Sequence, residues 1–375
     1  MFFKSKKPEE EAAGAAAAEP NAGAAEETAQ PIGQVRRRLS VVSDNKLVDG
    51  IQDLDLADDG RRRASTVPGQ VSEDLDSVIW AYNGVSKKGY APYNHRKKNQ
   101  DVYIAEKDPV TDSLYLCVMD GHGEVGDKVT AQLKKQIPGR LFAHPDWATD
   151  CNKALAEVIN EVETELNGRG SGIDTQFSGT TYTSCIVRNG KLYCANCGDS
   201  RVTLGSINSS DPTKLTAKNL TDDHKPDLPE EKKRIVAKGG RVFAVRYDDG
   251  IDGPPRVWLG HMDVPGLAMS RSLGDQVAHD AGVSSELEFS EFDITEDDKC
   301  LILASDGLWE FMSDQEVIDM AHGYDDCTTM VNELVQEANN RWMREEQVLY
   351  STLNLVLTGT PWFVPPHLPE TTATH

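Results

Sequence analysis

Thr181-Tyr182-Thr183-Ser184-Cys185-Ile186-Val187-Arg188-Asn189-Gly190-Lys191-Leu192-Tyr193-Cys194-Ala195 decides the fold class. Two β-rich runs flank Asn-Gly, the dipeptide that best accepts the positive φ angles of a type I′ turn, so the stretch predicts an antiparallel hairpin. Outward from it, Ser113 to Met119 and Lys299 to Ala304 are short apolar runs of the kind that form buried strands. Val129 to Ile137 and Cys151 to Leu166 repeat their apolar residues near every 3.6 positions and predict helices. Ser313-Asp314-Gln315-Glu316 is a capping box opening a further helix, which Gly323 can end. Hairpins mixed with helices, without regular βαβ alternation, predict an α+β fold of antiparallel sheets covered by helices.

Each buried run ends in a carboxylate. Asp120-Gly121-His122-Gly123 follows the first and Ser305-Asp306-Gly307 follows the second. Gly198-Asp199-Ser200-Arg201 closes the second strand of the hairpin. An Asp at the tip of a buried strand is costly to desolvate unless a cation meets it. Several such tips converging on one positive object suit a hard divalent metal, which prefers carboxylate oxygens.

A chain of 375 residues supports one large domain or two ordinary ones. Its net charge of −22 argues against a nucleic-acid surface, and no stretch is apolar for long enough to span a bilayer. Neither a secretory h-region nor a myristoylation glycine is present at the start, and Glu9, Glu10 and Glu11 argue against a transit peptide. Seven scattered cysteines fit a reducing compartment, so an intracellular, cytoplasmic or nuclear location is expected. Cys194-Ala195-Asn196-Cys197 has no second pair and reads as two small apolar residues at a strand end. No oligomer signal is evident, and a monomer is expected.

Residues 1–75 form a polar arm rich in Ala and Glu, expected to be disordered. It carries two cassettes, Arg36-Arg37-Arg38-Leu39-Ser40 and Arg61-Arg62-Arg63-Ala64-Ser65. Both resemble the consensus of basophilic cyclic-nucleotide-dependent kinases, which makes Ser40 and Ser65 phosphorylation candidates. The alternative is a set of solvated charges in a linker. Globular patterning fills 76–356, and 357–375 is a divergent tail containing prolines.

In order along the chain, the motifs resemble those of the metal-dependent protein serine/threonine phosphatases of the type 2C family. They are Arg96 to Asp101, Asp120-Gly121-His122-Gly123, Ser178-Gly179-Thr180-Thr181 and Ala195 to Arg201. Leu220 to Pro226, Gly239 to Val242, Leu267 to Asp275 and Ala304 to Trp309 complete them. The resemblance implies two antiparallel sheets packed as a sandwich with helices on both outer faces, an α/β/β/α arrangement. It implies hydrolysis of phosphoserine and phosphothreonine in phosphoprotein substrates, with two or more Mg²⁺ or Mn²⁺ ions. Asp120 would bridge two metals, with the Gly121 carbonyl completing one shell and Asp306 on the first ion. Asp101 would lie at the second ion and Asp199 at a weaker third. Arg96 would clamp the phosphate, and His122 would protonate the leaving oxygen. His224, Lys225 and Pro226 read as a structural loop, and Arg271 and Asp275 as a pair that buttresses the site.

The pattern breaks at two places. Gln100 stands where the family carries Glu; its amide can still accept a hydrogen bond from water. The family's closing strand begins with Asp-Asp or Asp-Asn followed by Ile-Thr, and no Asp occurs here after Asp326. Thr352 to Leu357 is expected to form an edge strand in its place, with Glu345, Glu346 or Asn354 as substitute ligands. An active phosphatase is the leading expectation. The alternative is a pseudophosphatase that binds phosphoproteins or partners without turnover.

Overall fold

A computed structural model describes residues 65–68, 81–88, 98–247, 250–345 and 353–359. Two antiparallel sheets dominate. The first has six strands in the order β1 (Ser65–Pro68), β2 (Ala81–Lys87), β17 (Leu353–Gly359), β16 (Asp298–Ala304), β9 (Arg201–Asn208), β10 (Asp211–Asn219). The second has five, in the order β15 (Glu288–Asp293), β8 (Lys191–Cys197), β7 (Tyr182–Arg188), β4 (Ser113–Met119), β3 (Val102–Asp108). β7 and β8 are the hairpin expected from Asn189-Gly190, with φ of 51° and 70° at the turn.

The strand period explains why Leu114 to Met119 of β4 and Cys300 to Ala304 of β16 are apolar without alternation. Tyr115, Cys117 and Met119 face helices α1 (Gly126–Ala143) and α2 (Cys151–Asn167), while Leu114, Leu116 and Val118 face the other sheet. On β16, Cys300, Ile302 and Ala304 face α6 (Asp314–Ala321) and α7 (Cys327–Glu345), while Leu301 and Leu303 enter the space between the sheets. Both faces of both strands are therefore buried, and the layers run helix, sheet, sheet, helix as expected. Ser313 caps α6 and Glu316 returns the bond, completing the predicted box. Among the described residues, no helix is long and apolar enough to cross a membrane.

A smaller lobe joins α3 (Pro229–Ala237), β11 (Arg241–Tyr247), β12 (Gly250–Trp258), β13 (Pro265–Leu267) and α4 (Gln276–Asp280) around Ile235, Val257, Leu267 and Met269. A three-stranded ribbon, β14 (Leu273–Gly274), β6 (Gly179–Thr180) and β5 (Gly121–His122), crosses near the ends of the main strands.

The position of β17 corrects the expectation of an edge strand. It lies inside the six-stranded sheet, pairing with β2 on one side and β16 on the other: Leu355 faces both Val85 and Ala304. An apolar run, Leu355-Val356-Leu357, suits an interior position better than an edge. β1 and the last residues of β17 fall outside the span 76–356.

Candidate active site

Asp120 follows β4 directly, and its backbone is fixed on both sides. Its N–H donates to Thr181 Oγ1 at 3.0 Å, and its carbonyl accepts from Thr181 N and Thr180 Oγ1, each at 3.0 Å. Thr181 Oγ1 in turn contacts Ser200 Oγ at 2.8 Å, beside Asp199. The Ser178-Gly179-Thr180-Thr181 motif thus ties one strand tip to another. Gly121 has no room for a side chain, because a Cβ would overlap the carbonyls of Gln100 and Gly126. Asp306 opens the short helix α5 (Asp306–Trp309) just past β16.

These elements bring four sequence-predicted carboxylates together. Asp101 and Asp306 lie within hydrogen-bonding reach of Asp120, and Asp199 is close enough for its charge to act on both Asp120 and Asp306. Burial, then the charge of Asp101, holds the Asp120 carboxyl well above the usual carboxylate range. Burial, then the charges of Asp120 and Asp199, does the same to Asp306. A bound divalent cation would relieve both effects, and an all-oxygen donor set of this kind fits Mg²⁺ or Mn²⁺.

Lys225 also belongs to this cluster. Its ammonium sits 2.6 Å from Asp199 Oδ2, and Asp199, Asp223 and Asp306 together outweigh its burial and raise it above the usual lysine range. The reading of His224-Lys225-Pro226 as a purely structural loop is therefore corrected at Lys225. His224 does hold structure: Nδ1 accepts from Gly198 N at 3.1 Å while Nε2 faces Glu288 at 3.0 Å.

His122 Nε2 lies 2.6 Å from Asp275 Oδ2; the Asp275 side chain is buried and that of His122 mostly so. Burial alone would lower its pKa, but Asp275, then Asp120 and Asp199, carry it up to about 9. Its Nδ1 is buried with no hydrogen-bond partner among the described residues. The expected Arg271–Asp275 pair does not form. Arg271 turns to Glu231 at 2.9 Å, while Asp275 takes His122 and the Ser272 hydroxyl at 2.6 Å. Gly179 makes the histidine contact possible: a Cβ there would overlap the Asp275 carboxylate.

Gln100 donates from Nε2 to the Gly123 carbonyl at 2.7 Å and so braces the loop after β5. Arg96 and Ser40 lie outside the described residues, as does Glu346. Ser65 is the first residue of β1, opposite Ser86. The two cysteines of the CxxC are buried and unbridged, as read from the sequence.

Four carboxylates thus meet at one end of the β-sandwich, with the His122 imidazole beside them. The sequence profile of the family Protein phosphatase 2C matches residues 93–345, and the chain belongs to that family of metal-dependent serine/threonine protein phosphatases. It is 35% identical to "Probable protein phosphatase 2C 64" of Oryza sativa subsp. japonica, over 77% of this chain and 69% of the relative. It is 31% identical to "Probable protein phosphatase 2C 35" of Arabidopsis thaliana, over 73% of this chain and 82% of the relative. The fold is shared with the crystal structure of serine-threonine phosphatase 2C from Toxoplasma gondii, with a TM-score of 0.62 and 20% identity, covering 80% of this chain and 99% of that one.

Proposed function

We propose that this chain hydrolyses phosphoserine and phosphothreonine in phosphoproteins, using two or more Mg²⁺ or Mn²⁺ ions held by Asp120, Asp306, Asp101, Asp199 and the Gly121 carbonyl. When bound, such ions lower the pKa of water and neutralise the phosphoryl oxygens. The protein's own part is to hold the donors rigidly on strand tips and to deliver a proton. His122, oriented by its hydrogen bond with Asp275, gives that proton to the seryl or threonyl oxygen as the phosphorus–oxygen bond breaks. In this reading Arg96 grips the phosphate through its planar fork of donors.

The observation that carries the reading is the convergence of four aspartates whose mutual repulsion the single ammonium of Lys225 offsets only in part. It is tested by hydrolysis of a phosphothreonine peptide across a Mn²⁺ and Mg²⁺ titration, beside Asp306→Asn. Metal-dependent turnover, reduced in the variant on the order of 10²-fold or more, is expected. Saturating metal without turnover would reject it.

A second reading, binding of phosphoproteins without turnover, draws on one feature. In sequence, Ser351-Thr352 precedes the described part of β17, where the family carries its Asp-Asp or Asp-Asn pair. A hydroxyl carries no charge and is a weaker ligand than a carboxylate, which would lower metal affinity. The same titration separates the two readings.

A further inference from the structure

Glu163 is a buried carboxyl, 7% exposed, on helix α2 and outside the aspartate cluster. Nothing in the chemistry above uses it. Its two oxygens accept the Gly274 N–H at 3.0 and 3.2 Å, and Asn167 Nδ2 donates to Oε1 at 2.9 Å. Gly274 is the last residue of β14, and Asp275 follows with φ of 41°, a left-handed conformation that costs an ordinary side chain free energy. Such a conformation persists only where the surroundings hold it.

The ribbon shows what it is held for. Gly274 pairs with Gly179, and Gly179 pairs with His122, so the turn and the histidine lie in one row across three strands. The Asp275 N–H donates to the Ser178 carbonyl at 3.0 Å, and its carboxylate reaches over Gly179 to His122. From the other side, the Glu163 carboxyl ties the Gly274 N–H to helix α2.

We propose that Glu163 is a positioning residue for the phosphatase reaction: it pins the Gly274–Asp275 turn to α2, and through Asp275 it aims His122 at the leaving oxygen. The inference rests on the reading of His122 as proton donor. In the step it serves, the phosphorus–oxygen bond breaks with its electron pair going to the seryl or threonyl oxygen. That oxygen takes the proton from His122, while the oxygen of water becomes bonded to phosphorus; the water's protons leave with inorganic phosphate or to solvent, and His122 regains its proton from solvent.

A residue that acts through the acid matters most when the leaving group needs a proton. An alkoxide from phosphoserine needs one, whereas the phenolate of p-nitrophenyl phosphate leaves without it. Glu163→Ala is therefore expected to lower kcat on a phosphoserine peptide by roughly 10- to 100-fold with KM little changed, and to lower kcat on p-nitrophenyl phosphate by less than about threefold. Glu163→Gln, which keeps an acceptor for Gly274, should restore most of the loss. Equal losses on both substrates, or none on the peptide, would overturn the proposal. A readout independent of turnover accompanies it. The downfield imidazole N–H proton resonance of His122, hydrogen-bonded to Asp275, should disappear or shift in Glu163→Ala and persist in Glu163→Gln. If Glu163→Ala leaves that resonance in place, the positioning role is wrong even should the wild-type chain prove inactive; loss of the resonance in an inactive chain would support positioning and reject the phosphatase reading alone.

Discussion

The carboxyl of Glu163 shows how a single side chain can link the site to stability. Burial, opposed by the bonds from Gly274 and Asn167 and reinforced by the charge of Asp275, pushes it up from 4.5 to about 7. The folded chain therefore holds a proton that the unfolded chain has released between these values. Linkage then makes stability fall as pH rises through that window, by about 3 kcal/mol for this group, and level off above it. Glu163→Gln removes the slope. Denaturant midpoints at a series of pH values should show the variant gaining on the parent from about pH 5 to pH 8; parallel curves would refute the assignment. At this scale the sequence was legible where a buried run ends in a carboxylate, as at Asp120 and Asp306. It was not legible where the partner is distant. Nothing local says that Asp275 reaches His122 rather than Arg271, or that the His224-Lys225-Pro226 loop delivers its ammonium to Asp199.

Elements with local signals were readable: the Asn189-Gly190 hairpin, the capped helix at Ser313 and the amphipathic periods of α1 and α2 all lie where expected. β17 was misjudged as an edge because strand order depends on pairings between distant parts of the chain. Its neighbours come from opposite ends of the domain, β2 near the start and β16 near the close. An interior strand gives hydrogen bonds to both sides, so proline is poorly tolerated there. Val356→Pro is expected to destabilise the fold, with about 1–3 kcal/mol for each backbone partner left unsatisfied. A thermal melt within the error of the parent would return β17 to the periphery of the sheet.

Across the whole molecule, a chain of net charge −22 gathers four aspartates at one end of a sandwich held together by apolar clusters. The rigid layers serve that concentration. Strand tips held by Thr180, Thr181 and the three-stranded ribbon keep like charges together that would separate in a looser structure. The fold class could be read from spacing and family resemblance, and so could the gathering of Asp101, Asp120, Asp199 and Asp306. The brace behind His122 could not, because it is assembled from helix α2, β14 and β5 only in three dimensions. The central claim is that this end of the sandwich is a divalent-cation site. Calorimetric titration of the purified chain with Mn²⁺ tests it most directly, alongside Asp120→Asn. Binding of two or more ions per chain, with at least one lost or weakened on the order of 10-fold in the variant, is predicted. No binding at millimolar Mn²⁺, or binding that Asp120→Asn leaves untouched, would contradict the account.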